Sequence, residues 1–282
     1  MRPEKAWTIR PAMPEDRDPV ASLWRSASYR HEHLDWIHAL DLIGQTPFLL
    51  ASSPSGLAGC LACPPDIPTV AWVKLLLVGS GRDLSHVWSD LWPAVPPILR
   101  GLGVSCAAAL PVSEWMAVVL EKAGFVESGT VVFLEWHRRL PSHPSPAVRL
   151  RAMRQQDLRA VAGVDHAAFD PVWQLSEGLL GHALAQSEVA TVALDEQKVV
   201  GYQISTSSAL GAHIARLAVV PGSQRRGIGL ALVADAVHQL HRRGHERVSV
   251  NTQQANAPSL ALYSSMGFRR TGQDFPFYRF SL

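Results

Sequence analysis

A mixed α/β fold written twice in tandem is what this sequence predicts, and three observations carry the prediction. From Val148 onward the apolar patterning reads as strand, two helices, three strands, then helix, strand, helix, strand. A glycine-bearing loop, Gln224-Arg225-Arg226-Gly227-Ile228-Gly229, joins a β-type run to an apolar-periodic helix. The two halves of the 282-residue chain repeat short patterns at an offset of 141 to 143 positions, as an internal duplication does.

In the second half a strand is expected near Val148 to Met153, then helices at Asp157 to Ala168 and around Trp173 to Gln186. Strands follow near Val189 to Leu194, Val199 to Ser205 and Ile214 to Val220, the last closed by Pro221-Gly222. The loop helix spans about Gly227 to Arg243, because Leu230, Val233, Val237 and Leu240 recur at helical spacing and Gly244 stops it. A strand at Val248 to Asn251, a short helix from Ala257 to Met266 and a strand near Phe277 to Phe280 complete the order.

The first half matches this order in fragments. Ile9-Arg10-Pro11-Ala12, then Asp16, mirrors Leu150-Arg151-Ala152-Met153, then Asp157. Leu75 to Val78 mirrors Leu217 to Val220, and Leu120 to Phe125 mirrors Tyr263 to Phe268. Prolines and serines from Arg139 to Pro146 mark a connector. The expected division is therefore 1–140, a linker at 141–147, and 148–282.

Strand, glycine loop and helix N-terminus together make an anion site. The first N–H groups of a helix lack intrahelical partners, and the macrodipole favours negative charge there. Gly227 and Gly229 let a phosphate approach the backbone, and Arg225 and Arg226 add fork-shaped cationic donors. No Lys-Ser or Lys-Thr follows the glycines, so this is not a mononucleotide P-loop. Leu232 stands where a dinucleotide fingerprint needs its third glycine. Taken alone, the loop also fits a plain helix entry. In the duplicated register Gly227, Gly229 and Arg225 fall on Ser85, Val87 and Asp83, while Asn256 and Tyr263 fall on Ser113 and Leu120. The first half is expected to have lost the anion site and to serve as scaffold or to contribute a wall to the acceptor site, with Gly79-Ser80-Gly81 a turn.

Composition narrows the classes. Hydrophobic content of 47% with 18% charged residues describes a folded globule, and a net charge of +2 argues against a nucleic-acid partner. No apolar segment reaches the roughly 18–20 residues that span a bilayer, and Met1 to Lys5 lack a signal-peptide core, so a cytoplasmic chain without a membrane partner is expected. Cys60 and Cys63 have C-x-x-C spacing without a second ligand pair, so they read as buried thiols and no metal is expected. A monomer or homodimer is expected.

About 30 residues beyond the loop stands Asn256-Ala257-Pro258-Ser259-Leu260-Ala261-Leu262-Tyr263-Ser264-Ser265-Met266-Gly267-Phe268. The paired motifs Q/R-x-x-G-x-G/A and N-x-x-(A/S)-x-x-L-Y-x-x-x-G-F resemble those of the GCN5-related N-acetyltransferase family, over roughly residues 148 to 282. The resemblance implies two tandem acetyltransferase-like domains, the first degenerate, with acetyl-CoA as co-substrate. It implies that Gln224, Arg225, Arg226, Gly227, Ile228, Gly229 and Leu230 hold the pyrophosphate. The backbone of Leu217, Ala218 and Val219 would meet the pantetheine arm, Asn256 would contact the cofactor, and Tyr263 would protonate the departing thiolate. Read from the residues alone, Asn256 also suits a helix N-cap and Tyr263 a core aromatic.

The family's glutamate five residues before the asparagine is Asn251 here. A second family position for the base falls on His213, which strict alternation puts on the strand face of Leu217 and Val219. His213 is the expected base, with Glu188 and Asp195 as alternatives. No cysteine lies in the second half, so direct attack by a primary amine on the thioester is expected. Asp165, Phe169 and Trp173 are candidates to line the acceptor site. Tandem members of the family include small-molecule acetyltransferases, and an expected groove between the halves favours a small amine; a protein acetyltransferase or a non-catalytic acyl-CoA sensor is the alternative.

Overall fold

The computed structural model describes residues 7–54, 56–137, 148–209 and 211–282. The expected linker and the N-terminal six residues lie outside them. The elements, in chain order, are β1 (Thr8–Pro11), α1 (Arg17–Ser26), β2 (Tyr29–Glu32), β3 (Phe48–Ser53), β4 (Gly56–Ala62), β5 (Pro65–Ile67), β6 (Val70–Trp72) and β7 (Leu75–Val78). Then come α2 (Leu84–Leu91), α3 (Val95–Gly101), β8 (Cys106–Ala109), α4 (Glu114–Lys122) and β9 (Val126–His137). The second set is β10 (Arg149–Ala152), α5 (Leu158–Ala168), α6 (Glu177–Ala185), β11 (Val189–Asp195), β12 (Lys198–Ser208), β13 (Gly211–Val219), α7 (Ile228–Arg242), β14 (Arg247–Gln253), α8 (Ala257–Ser265) and β15 (Arg269–Ser281). Short 3₁₀ turns, including Pro171–Trp173, lie between them, so α6 starts later than its sequence pattern suggests.

Two compact units divide the chain: Met1–Ser128 with Pro276–Leu282, and Gly129–Phe275. This differs from the expected division at both ends, because the cuts fall within the long strands β9 and β15.

In the first unit an antiparallel sheet runs β1-β3-β4-β7-β2. Beside it in the same unit, β6 pairs with β8 in parallel, Val70 opposite Cys106 and Trp72 opposite Ala108. Leu61, Leu76, Val87, Leu91 and Leu99 are fully buried in its core. Cys60 and Cys63 are free and fully buried, which pushes their thiols well up and leaves them unreactive.

The second unit carries strands in the order β10-β11-β12-β13-β14-β9, antiparallel except for β13 with β14. Helix α5 packs on one face, where the Tyr202 hydroxyl donates to Asp165 at 2.5 Å. Helix α7 packs on the other, where the Thr191 hydroxyl donates to Asp235 at 2.8 Å. Leu232, Val233, Ala236, Val237 and Leu240 form the fully buried stripe of α7, and that face holds the helix against the sheet.

The duplication is physical as well as textual. Arg10 forks onto Asp16 and Arg151 onto Asp157, each with two N–H···O bonds of 2.6–2.8 Å. Each arginine holds its aspartate below the usual carboxylate range. The parallel pairs repeat as well: Val70, Ala71 and Trp72 face Cys106, Ala107 and Ala108, as Ala212, His213 and Ile214 face Val248, Ser249 and Val250.

Candidate active site

The second unit's site begins where two strands part. β13 and β14 pair only from Ala212–Val248 to Ile214–Val250. Beyond that point β13 stays bonded to β12 as far as Val219 opposite Gly201, and its other edge leaves β14. A bulge helps to turn it: Ile204 lies opposite Arg216 and Ser205 opposite Ile214, so Ala215 is an extra residue.

The bulge corrects one expectation. Paired residues of an antiparallel ladder point the same way, so His213, opposite Thr206, shares its face with Arg216 and Ala218. That is the α5 face, to which Tyr202 also points. Leu217 and Ile214 turn to the α7 face instead. Strict alternation put His213 with Leu217 and Val219; one inserted residue reverses that.

The opened edge borders a groove of about 510 Å³. Leu217, Ala218, Val219, Gln224, Arg225, Gly227, Ile228, Gly229, Leu230 and Asn256 line it, with Pro258, Leu262 and Ser265 of α8 opposite. Gly227 holds the N-cap of α7 at φ +77°, and as a glycine it has no side chain with which to cap the helix. Its first turn, Gly227 to Leu230, lines the groove. Arg225 also has positive φ, +60°, a conformation that costs a non-glycine residue about 1 kcal/mol or more. The Gln224 side chain donates to Val219 O at 3.0 Å and ties the loop to the strand. Arg226 does not line the groove; it pairs with Asp195 at 2.8 Å. A Cβ on Gly229 would sit 3.4 Å from Leu262 Cδ2, so any larger branch narrows the floor.

A cavity of about 100 Å³ adjoins the groove and shares Phe169, Leu217, Asn256 and Ser259 with it. Its other walls include Ala215, Arg216, Trp173, Asn251, Gln253 and Tyr263. Tyr263 is 4% exposed and packs on Phe268; burial pushes its phenol well up, so it stays protonated at neutral pH. Asn256 Oδ1 accepts from Ser259 N at 3.2 Å, capping α8, while the residue lines both spaces. Core and cavity roles coincide for both residues.

His213 stands behind Asn251 rather than among the cavity's lining residues. Its Nε2 donates to Asn251 Oδ1 and its Nδ1 meets Ser249 Oγ, both at 2.9 Å. Burial pulls its pKa below 6.5, partly offset by Asn251, so the ring is neutral at neutral pH. Glu188 is held by Ser207 and Arg243, and Asp195 by Arg226; neither lines groove or cavity.

Arg216 went unread in the sequence. Its Nε donates to Asp165 at 2.8 Å, its Nη2 also reaches Asp165 and Trp173 O, and its guanidinium carbon lies 3.8 Å from the centre of the Phe169 ring. Asp165, expected at the acceptor site, is instead fully buried and also accepts from Tyr202 and Leu175 N. A charge between Ile214 and Ala218 in an otherwise apolar strand was the available signal.

Comparison with known proteins places this geometry. The sequence model of the Acetyltransferase (GNAT) family matches residues 150–268. A mycothiol acetyltransferase of Beutenbergia cavernae is 31% identical over 192 residues, 66% of this chain and 55% of that protein, so the chain spans little more than half of this relative's length. An Escherichia coli ribosomal protein bS18 alanine N-acetyltransferase is 26% identical over 98 residues, 31% of this chain and 66% of that protein. A tandem GNAT protein of the clavulanic acid biosynthesis pathway superposes with a TM-score of 0.66 at 14% identity, over 97% of this chain and 98% of that one. That last likeness is one of fold.

Proposed function

Because residues 150–268 belong to the GNAT acetyltransferase family, we propose that the Gly129–Phe275 unit is an acetyl-CoA-dependent N-acetyltransferase acting on a primary amine, most simply that of a small molecule. One observation carries the reading: an open strand edge, an uncapped helix N-terminus and a cavity holding a protonated tyrosine are continuous. The residues fit the co-substrate. The N–H groups at the start of α7, with Arg225, suit a pyrophosphate, and the free edge of Leu217 to Val219 suits an amide-bearing arm. Acetyl-CoA supplies the activated acyl group.

The chain's own residues do the rest. Tyr263 gives its proton to the leaving sulfur, and the N–H groups of the parted strand orient the thioester. Asn251, where many relatives carry a glutamate, positions rather than deprotonates. His213 is the base of this reading in its other neutral tautomer: with the proton on Nδ1, donated to Ser249 Oγ, the bare Nε2 gives up Asn251 Oδ1 and takes the acceptor's proton, directly or through a water. The small-amine preference draws on the mycothiol acetyltransferase likeness, which extends over twice as much of the chain as the bS18 enzyme's.

Thiol release from acetyl-CoA, measured with amines related to mycothiol and with alanine-first peptides, tests the proposal. Amine-dependent release with the small amines is the expected result. Release with peptides alone would move the acceptor to protein, and tight CoA binding without release would make the unit a sensor.

A further inference from the structure

Arg216 ties together two aromatic residues that wall the cavity, although their side chains share no sequence motif. Phe169 lies under its guanidinium, Trp173 accepts a hydrogen bond through its carbonyl, and Asp165 neutralises the charge from complete burial. The same carboxylate accepts Leu175 N at 2.8 Å, and the Gln174 side chain donates to His166 O and Phe169 O. The segment from Phe169 to Leu175 is thus pinned at both ends and in the middle. A planar fork with several simultaneous partners loses little freedom by holding them, which makes this wall rigid.

The space it encloses is small. At about 100 Å³ it is well below the roughly 300–1,000 Å³ of a drug-sized pocket. The groove meets the cavity at Phe169, Leu217, Asn256 and Ser259, whereas Arg216 and Trp173 line the cavity alone.

We propose that Arg216 is a positioning residue that sets acyl-chain length, by clamping Phe169 where groove and cavity meet and Trp173 in the cavity wall, so that a short acyl thioester enters and a medium chain does not. This rests on the acyl-CoA reading of the groove. It adds that selection against longer chains resides in the clamped wall and not in the pyrophosphate loop.

The test is calorimetric binding of free CoA, acetyl-CoA and hexanoyl-CoA to the full chain, read as the hexanoyl-to-acetyl affinity ratio. Wild type should bind hexanoyl-CoA at least about 30-fold more weakly than acetyl-CoA. Trp173→Ala, which removes the wall without touching the buried ion pair, should shrink that ratio to within a few-fold. Arg216→Lys keeps the charge but loses the fork, and should shrink it about tenfold. A general loss of stability would lower all three affinities together and leave the ratio unmoved. Equal binding of the two acyl-CoAs by wild type, or an unchanged ratio in Trp173→Ala, overturns the inference. Failure of free CoA to bind wild type overturns the functional reading itself, since free CoA carries no acyl chain.

Discussion

The two halves of this chain start from the same plan and treat the strand before the loop helix in opposite ways. In the second unit β13 pairs with β12 on one edge and leaves the other open beyond Ile214. In the first unit both edges of β7 are taken, by β4 and by β2, with Tyr29 opposite Val78 and Glu32 opposite Leu75. The helix starts differ just as sharply. Gly227 leaves α7 uncapped, whereas the Asp83 carboxylate accepts His86 N at 2.9 Å and caps α2. Val87, at the position of Gly229, is fully buried, and its Cγ1 lies where a Cβ on Gly59 would collide with it at 2.5 Å. The first copy has satisfied by itself the groups that the second leaves for a ligand. On the proposed reading, the open helix start and strand edge mark the half that binds the co-substrate.

The largest effect expected from a single change lies in the cavity. Tyr263→Phe should lower turnover about 10²-fold or more, within the ~10²–10⁴ typical of general acids, with acyl-CoA affinity nearly unchanged. Steady-state kinetics beside calorimetry separates this from packing, which would lower stability and affinity instead.

His213 comes next. Acting from behind Asn251, it should contribute on the order of tenfold, below the ~10²–10⁴ usual for a base in direct contact. Burial holds its pKa under 6.5, so the rate should rise with pH through that depressed value and then level off. His213→Ala should lower the rate and flatten the limb. His213→Gln, which can still donate to Asn251 but does not titrate, should flatten the limb as well. A wild-type profile in His213→Gln, across acceptors of different pKa, would leave the ring only a positioning role.

Arg225 tests the loop more gently. Arg225→Gly removes a side chain from φ +60° and should raise stability by about 0.5–1 kcal/mol, while weakening acyl-CoA binding several-fold through loss of the cation. Chemical denaturation and calorimetry should therefore move in opposite directions. The smallest expected effect is none: Asp83→Gly with Val87→Gly should not create a second CoA site, because β2 still covers the edge of β7. A stoichiometry of two in that variant would break the comparison between the halves.

Much of this was legible in the sequence, for reasons that also mark where legibility stops. The loop could be read because its chemistry needs glycine and arginine at fixed steps, and α7 because a buried helix face repeats every three to four residues. The bulge at Ala215 could not be, since an added alanine leaves no compositional trace while reversing the face of every residue before it. Arg216 and Asp165 lie 51 positions apart, so nothing local announces their pairing. Nor does Tyr29-Arg30-His31-Glu32 show the apolar alternation of a strand, although β7 holds it as one. The expected division followed the prolines, whereas the compact units part within β9 and β15, long strands whose patterns do not break there.

The count of acyl-CoA sites tests the central claim most directly. Calorimetry on wild type should give one acetyl-CoA per chain, and Gly229→Val should abolish that binding without a large fall in melting temperature, since the position is only partly buried. Two sites per chain, or undiminished binding in Gly229→Val, would contradict the account.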